Sequence, residues 1–186
     1  VTVDRVIVEG RFDIIDRNLR FLEEYRGISL KRFSESYRDA QAAKYSLLEI
    51  IESCIGIANH IISMKAFRRA EKYSDMFRVL REEGVLGERL AQRLEDMARF
   101  RNLLVHRYGE IDDERGLEII QHNLGDIVEF EKQIQRFVDD QSLTNSFQWD
   151  TSQVAVATLM EDRLWLIRGN RLTYRPCRAV AALSPS

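Results

Sequence analysis

Proline is nearly missing from this chain: of 186 residues only Pro176 and Pro185 are proline, both within the last dozen positions. Proline breaks a helix by removing a backbone donor and clashing with the preceding turn, so nothing before residue 176 forbids long helices. An all-α body is therefore expected. Cysteine is equally scarce. Cys54 in an apolar run and Cys177 near the end offer neither a zinc spacing nor a disulfide framework, which points to a reducing interior and a cytoplasmic protein. The three histidines, His60, His106 and His122, are too far apart to suggest a metal site, so no metal and no cofactor are expected. No apolar stretch approaches the roughly 20 residues that span a bilayer. The first residues show no basic segment followed by an apolar one. The chain reads as neither secreted nor membrane-spanning.

An excess of positive charge is also lacking. Residues 1–140 carry 23 Lys and Arg against 27 Asp and Glu, whereas 141–186 carry 5 against 3. A helical body with a balance of −4 is not a general nucleic-acid binder, which would normally show a basic face. Any contact with RNA must then run through a local patch. The length suits one domain with a proper core and a small appendage.

What is present is helical periodicity. Val6, Ile7, Phe12, Ile14, Ile15, Leu19, Phe21 and Leu22 lie among dense charges, as in a helix over residues 3–26 with one buried stripe, closed at Gly27. Ser29 can cap a second, longer helix from Leu30 to Met64. Its half from Tyr45 to Ile62 is apolar over an arc so wide that it must be covered from two directions, the first hint of a dimer. The basic segment Lys65 to Lys72 reads as a loop. A third helix is expected over Ser74 to Glu83, ending at Gly84, and a fourth over Glu88 to Val105 with a stripe at Leu90, Leu94, Met97, Phe100 and Leu104. A turn at Gly109 to Asp112 leads to a last helix from Asp113 to Asp140, with acidic residues suiting its positive end. Two domains follow: a helical body over 1–140 and a C-terminal extension over 141–186, poorly defined or a short hairpin, since Gly169-Asn170 separates two apolar runs.

Arg101, His106 and Tyr108 fall in the run Arg101-Asn-Leu-Leu-Val-His-Arg-Tyr108, at the end of the fourth helix. It brings together a permanent cation, a titratable imidazole and a phenol. RNA can be cut by its own 2′-hydroxyl if that proton is removed, the leaving 5′-oxygen is protonated and the charge of the pentacoordinate phosphate is neutralised. Histidine suits the proton work near neutral pH, and the planar, always charged guanidinium suits the phosphate. Asn102 can orient either group, and Arg107 adds positive charge. Five helical steps separate Arg101 and His106 by about 140° on an unbroken helix. Either the helix ends before His106 or two copies of the segment meet across an interface. From spacing alone the structural reading, an arginine on the helix dipole and a C-capping histidine, outweighs catalysis. His60 reads as structural, Glu52 and Asn59 as partners of neighbours inside the bundle, and His122 as a solvated or interface residue.

The run Arg-x4-His-x-Tyr, with Ile51 to His60, the block Tyr73-Ser-Asp-Met-Phe77 and the whole of Met97 to Tyr108, resembles the HepT-like toxins, ribonucleases of the HEPN superfamily. The resemblance covers roughly residues 3–140 and reverses the weighting for Arg101 and His106. It implies an antiparallel bundle of about five helices that forms a homodimer, with two Arg-x4-His segments at a shared cleft. It implies the toxin of a type VII toxin–antitoxin system, a metal-independent endoribonuclease with Arg101 and His106 as the catalytic pair and Asn102 and Arg107 supporting RNA. The partner it implies is a minimal nucleotidyltransferase antitoxin that transfers AMP from ATP to Tyr108. The segment after residue 141 departs from the family pattern. Two other classes remain open at this point: a non-catalytic subunit presenting nucleotide or substrate to a nucleotidyltransferase, and a purely structural dimerisation module.

Overall fold

The computed structural model describes residues 3–105 and 113–141 in full. It also gives the backbone of His106, of residues 142–146 and of two short strands at 165–168 and 171–174. The chain divides into two compact units, Val1–Leu143 and Thr144–Ser186. The expected turn at Gly109 to Asp112 lies outside the described residues.

Helix α1, Arg5–Glu23, starts where the Asp4 carboxylate accepts the Val6 N–H, and it buries Val8, Ile15 and Leu22 in one stripe. Val6 and Ile7, expected in that stripe, are exposed instead, because it begins a step later at Val8. The second expected helix is divided in two. Helix α2, Leu30–Glu35, is capped by Ser29 as anticipated, but Ser36 takes an extended backbone (φ −111°, ψ 98°) and its hydroxyl accepts the Asp39 N–H at 3.3 Å. That bond starts a new helix, α3, Tyr37–Lys65. A serine that offers its own acceptor to a helix N–H competes with continued winding, which explains the break. Helix α3 ends at Ala66, left-handed at φ 52°.

Helix α4, Tyr73–Glu82, stops before Gly84, whose φ of 71° is the conformation glycine adopts without strain. Helix α5, Glu88–His106, follows, then α6, Asp113–His122, and α7, Leu124–Ser146. The last expected helix is thus also two, interrupted at Asn123, and it runs past Asp140.

The bundle is an antiparallel all-α one, as the sequence indicates, with α3 at its centre. Ile50, Ile51, Cys54, Ile57, Ala58 and Ile61 of α3 are almost fully buried, and α1, α4 and α5 pack along it. Each such Ile contributes about 1.5–3 kcal/mol on leaving water. By length and composition α3 would also cross a membrane, but most of its apolar stretch is buried inside this bundle. Helix α7 closes the other side: Phe130 meets Phe77 of α4 edge to face at 6.1 Å, and Gln133 Oε1 accepts the Gly87 N–H at 2.8 Å. Buried Lys44 of α3 holds Asp113 at 2.6 Å, fixing the start of α6. In the second unit, β1, Trp165–Arg168, pairs antiparallel with β2, Arg171–Tyr174, with Trp165 opposite Tyr174.

The loop before α4 is clamped by one carboxylate. Buried Asp75 accepts from Arg68 at 2.8 and 3.0 Å and from the Glu71 N–H at 3.0 Å, while Arg68 also reaches Glu82 at 2.6 Å. The Arg68 guanidinium first, then the Glu71 amide and the Arg78 charge, outweigh burial and hold the Asp75 carboxyl at about 2. A carboxyl held below its unfolded value stabilises the fold above about pH 4 and loses that contribution as the pH falls toward its folded value. Urea titrations should therefore show stability declining from about pH 4 to pH 2. This group accounts for no more than about 2 kcal/mol of it, because Arg68 is partly solvated. Asp75→Asn should flatten that part of the profile; an identical decline in the variant would contradict the clamp.

Candidate active site

Helix α5 buries Leu90, Leu94, Ala98 and Leu104 against the bundle. Arg101 stands on the border of that face, and its side chain is only 15% exposed. Its guanidinium is held from two sides. Arg101 Nε donates to Glu52 Oε1 of α3 at 2.6 Å, and Nη2 of the same group reaches that oxygen as well. From α4, the Tyr73 ring lies beneath the guanidinium, 4.9 Å from its carbon to the ring centre. Of the five N–H donors of an arginine, Glu52 engages those on one edge, so the Nη1 edge is occupied by no hydrogen-bonding partner among the described residues. Among the described residues this is an arginine fixed in direction with donors not engaged, which is the state a phosphate clamp requires.

The sequence assigned Glu52 no more than a structural pairing inside the bundle and named Tyr73 only within a longer block. Neither role was visible, because Glu52 and Arg101 are 49 residues apart and no periodicity links them. Asn102 is exposed and, with Ala70, Lys72, Tyr73, Met76 and Arg99, lines a groove of about 570 Å³ between the loop before α4 and α5. His106 is the last residue of α5. The helix therefore does not end before it, and its position lies about 140° around the axis from Arg101. Arg107 and Tyr108 lie outside the described residues.

The other histidines are accounted for locally. His60 Nε2 accepts the Asp4 N–H at 3.1 Å and so satisfies a backbone donor at the head of α1. His122 is exposed at the end of α6. Among the described residues no group of three His, Cys, Asp or Glu side chains is placed to hold a metal ion.

A family model described as Ribonuclease HepT-like matches residues 15–135. The chain is similar to the mRNA nuclease HepT of Shewanella oneidensis, 25% identical over 124 residues that cover 67% of this chain and 92% of that protein. It is similar also to the tRNA nuclease HepT of Aphanizomenon flos-aquae, 29% identical over 110 residues, covering 59% and 75%. Among solved structures, the tri-AMPylated Shewanella oneidensis HEPN toxin in complex with MNT antitoxin matches with a TM-score of 0.64 at 25% identity, covering 70% of this chain and 97% of that one.

If Glu52 serves to aim Arg101, Glu52→Ala should leave the fold intact while lowering kcat for RNA cleavage by about tenfold or more, since small misplacements of a positioned group are costly. Glu52→Gln, which keeps an acceptor, should lie between the variant and wild type. Equal rates in all three proteins would show that the pair only ties α3 to α5.

Proposed function

This chain belongs to the HepT-like ribonuclease family, and from that premise we propose that it is the toxin of a type VII toxin–antitoxin system, an endoribonuclease that cuts RNA with Arg101 and His106. The observation that carries the proposal is the anchored guanidinium of Arg101 beside an open groove, with a histidine five residues further along the same helix. Arg101 neutralises the phosphate as it becomes pentacoordinate. His106 moves the proton, taken from the 2′-hydroxyl or given to the 5′-oxygen. Because the nucleophile is supplied by the RNA itself, the reaction has no need of a metal-bound hydroxide.

On one protomer the two helix positions stand about 140° apart around the axis of α5. In our reading the working pair is therefore composed across a homodimer, Arg101 of one copy with His106 of another. Leu103 and Val105, exposed in the same stretch of α5, support this as apolar surface that a second copy would cover. Asn102 and Arg107 assist in holding RNA. A cytoplasmic location suits both the substrate and the buried free thiol of Cys54.

The purified protein should cleave RNA in the presence of EDTA. Arg101→Ala and His106→Ala should each lower the rate by at least about a hundredfold without altering assembly. Retained cleavage in both variants would overturn the assignment. Intact RNA with the wild-type protein, bound stably to a nucleotidyltransferase, would favour a non-catalytic subunit.

Regulation follows the AMPylated relative. We propose that a minimal nucleotidyltransferase antitoxin modifies Tyr108: its phenol oxygen attacks the α-phosphorus of ATP, pyrophosphate leaves, and the phenolic proton passes to a base. The added phosphate and adenosine would occupy the position RNA needs by charge and bulk. Mass spectrometry after incubation with the partner and ATP should find AMP on the peptide carrying Tyr108. Labelling undiminished in Tyr108→Phe would contradict this.

A further inference from the structure

The groove next to Arg101 has a composition that phosphate neutralisation alone does not explain. Apolar and aromatic residues, Ala70, Met76 and Tyr73, line it together with Lys72, Arg99 and Asn102. A volume of about 570 Å³ lies within the roughly 300–1,000 Å³ usual for small-molecule sites. The Tyr73 ring spends one face on the Arg101 guanidinium, yet the residue is 40% exposed and part of that free surface borders the groove.

Electrostatics alone would make this a poor anion site. Glu71 also lines it, and Arg99 is shared with Glu95 and Asp96, so the local positive charge is modest. An aromatic face with a polar amide beside it has a different natural ligand. Unstacked bases of single-stranded RNA bind by stacking on aromatic rings and by hydrogen bonds to their edges, with basic side chains following the backbone.

We propose that this groove holds the nucleotide flanking the cut phosphate: its base stacks on Tyr73, Asn102 bonds its edge, and Lys72 and Arg99 meet its backbone. The inference rests on the ribonuclease reading and deepens it. Because Tyr73 touches both the groove and Arg101, seating the base beside it brings the neighbouring phosphate near the guanidinium. The enzyme would then select single-stranded over paired RNA, since a base in a duplex cannot turn onto the ring. The weak overall charge of the chain is compatible with this, because affinity comes from stacking at one groove and not from a basic face.

Steady-state cleavage of a short single-stranded RNA tests it. Tyr73→Leu should raise KM about tenfold or more, beyond whatever fall in kcat the loosened Arg101 causes, and Tyr73→Phe, which keeps the ring, should recover most of the loss in KM. Lys72→Ala and Arg99→Ala should each raise KM several-fold and lower its dependence on log salt by about 0.7. A second measurement is independent of turnover. RNA carrying 2-aminopurine beside the mapped cut should lose fluorescence on binding His106→Ala protein, and should not when Tyr73→Leu is added.

If the wild type leaves RNA intact, the ribonuclease reading and this subsite both fall. If the wild type cleaves, but Tyr73→Leu lowers kcat at constant KM and the quenching is unchanged, the subsite alone is overturned and Tyr73 merely steadies Arg101.

Discussion

A helix that is apolar around most of its circumference must be covered on nearly every side, and the covering of α3 dictates where the other helices go. Helices α1, α4 and α5 all lie along it. Only a narrow polar strip of α3 escapes this demand, carrying Glu49, Glu52 and His60, and each of these is spent on a neighbour. Glu49 meets Asn18 of α1 at 2.9 Å, Glu52 meets Arg101 of α5, and His60 meets the backbone at the head of α1. The hydrophobic effect gives the assembly its stability. The polar strip gives it register, and through Glu52 it gives one arginine a fixed direction.

That direction is what turns a common helix-end residue into a candidate for chemistry. Lysine could not substitute: one planar group here donates to a carboxylate along one edge, lies over an aromatic ring and, among the described residues, keeps donors unengaged on another edge. The ion pair also has a cost, since Glu52 cancels part of the charge that a phosphate would meet. We take the exchange to favour positioning over attraction, in keeping with a chain that carries a net charge of −2. If RNA is cut as proposed, an imidazole must reach the same phosphate, and because α5 runs unbroken through His106 we assign that imidazole to a second copy of the helix.

The architecture was legible where one local rule decided it. Scarce proline pointed to a helical body, Ser29 to a cap, Gly84 to a stop, whereas the wide apolar arc from Tyr45 to Ile62, read as needing a second subunit, is largely covered by α1, α4 and α5 of the same chain. It was not legible where two local rules competed. Ser36 lies in a sequence that periodicity alone continues as helix, and its hydroxyl instead begins a new one; Asn123 likewise divides α6 from α7. Of the candidate site, Arg101 stood out through the likeness of its run to the HepT-like pattern, since spacing alone favoured a structural role, whereas Glu52 and Tyr73 did not stand out, because tertiary packing alone brings α3 and α4 to α5. Val6 and Ile7 show the reverse error: apolar residues read into a stripe that begins only at Val8.

The central claim is that Arg101 and His106 act together from different copies of the chain, and mixing two inactive variants tests it most directly. Arg101→Ala and His106→Ala proteins, unfolded together and refolded at equal amounts, should recover about a quarter of wild-type RNA cleavage, because half of the symmetric pairs are mixed and each has one intact composite site. A mixture as inactive as either variant alone, with mixed dimers demonstrated by mass, would contradict the account.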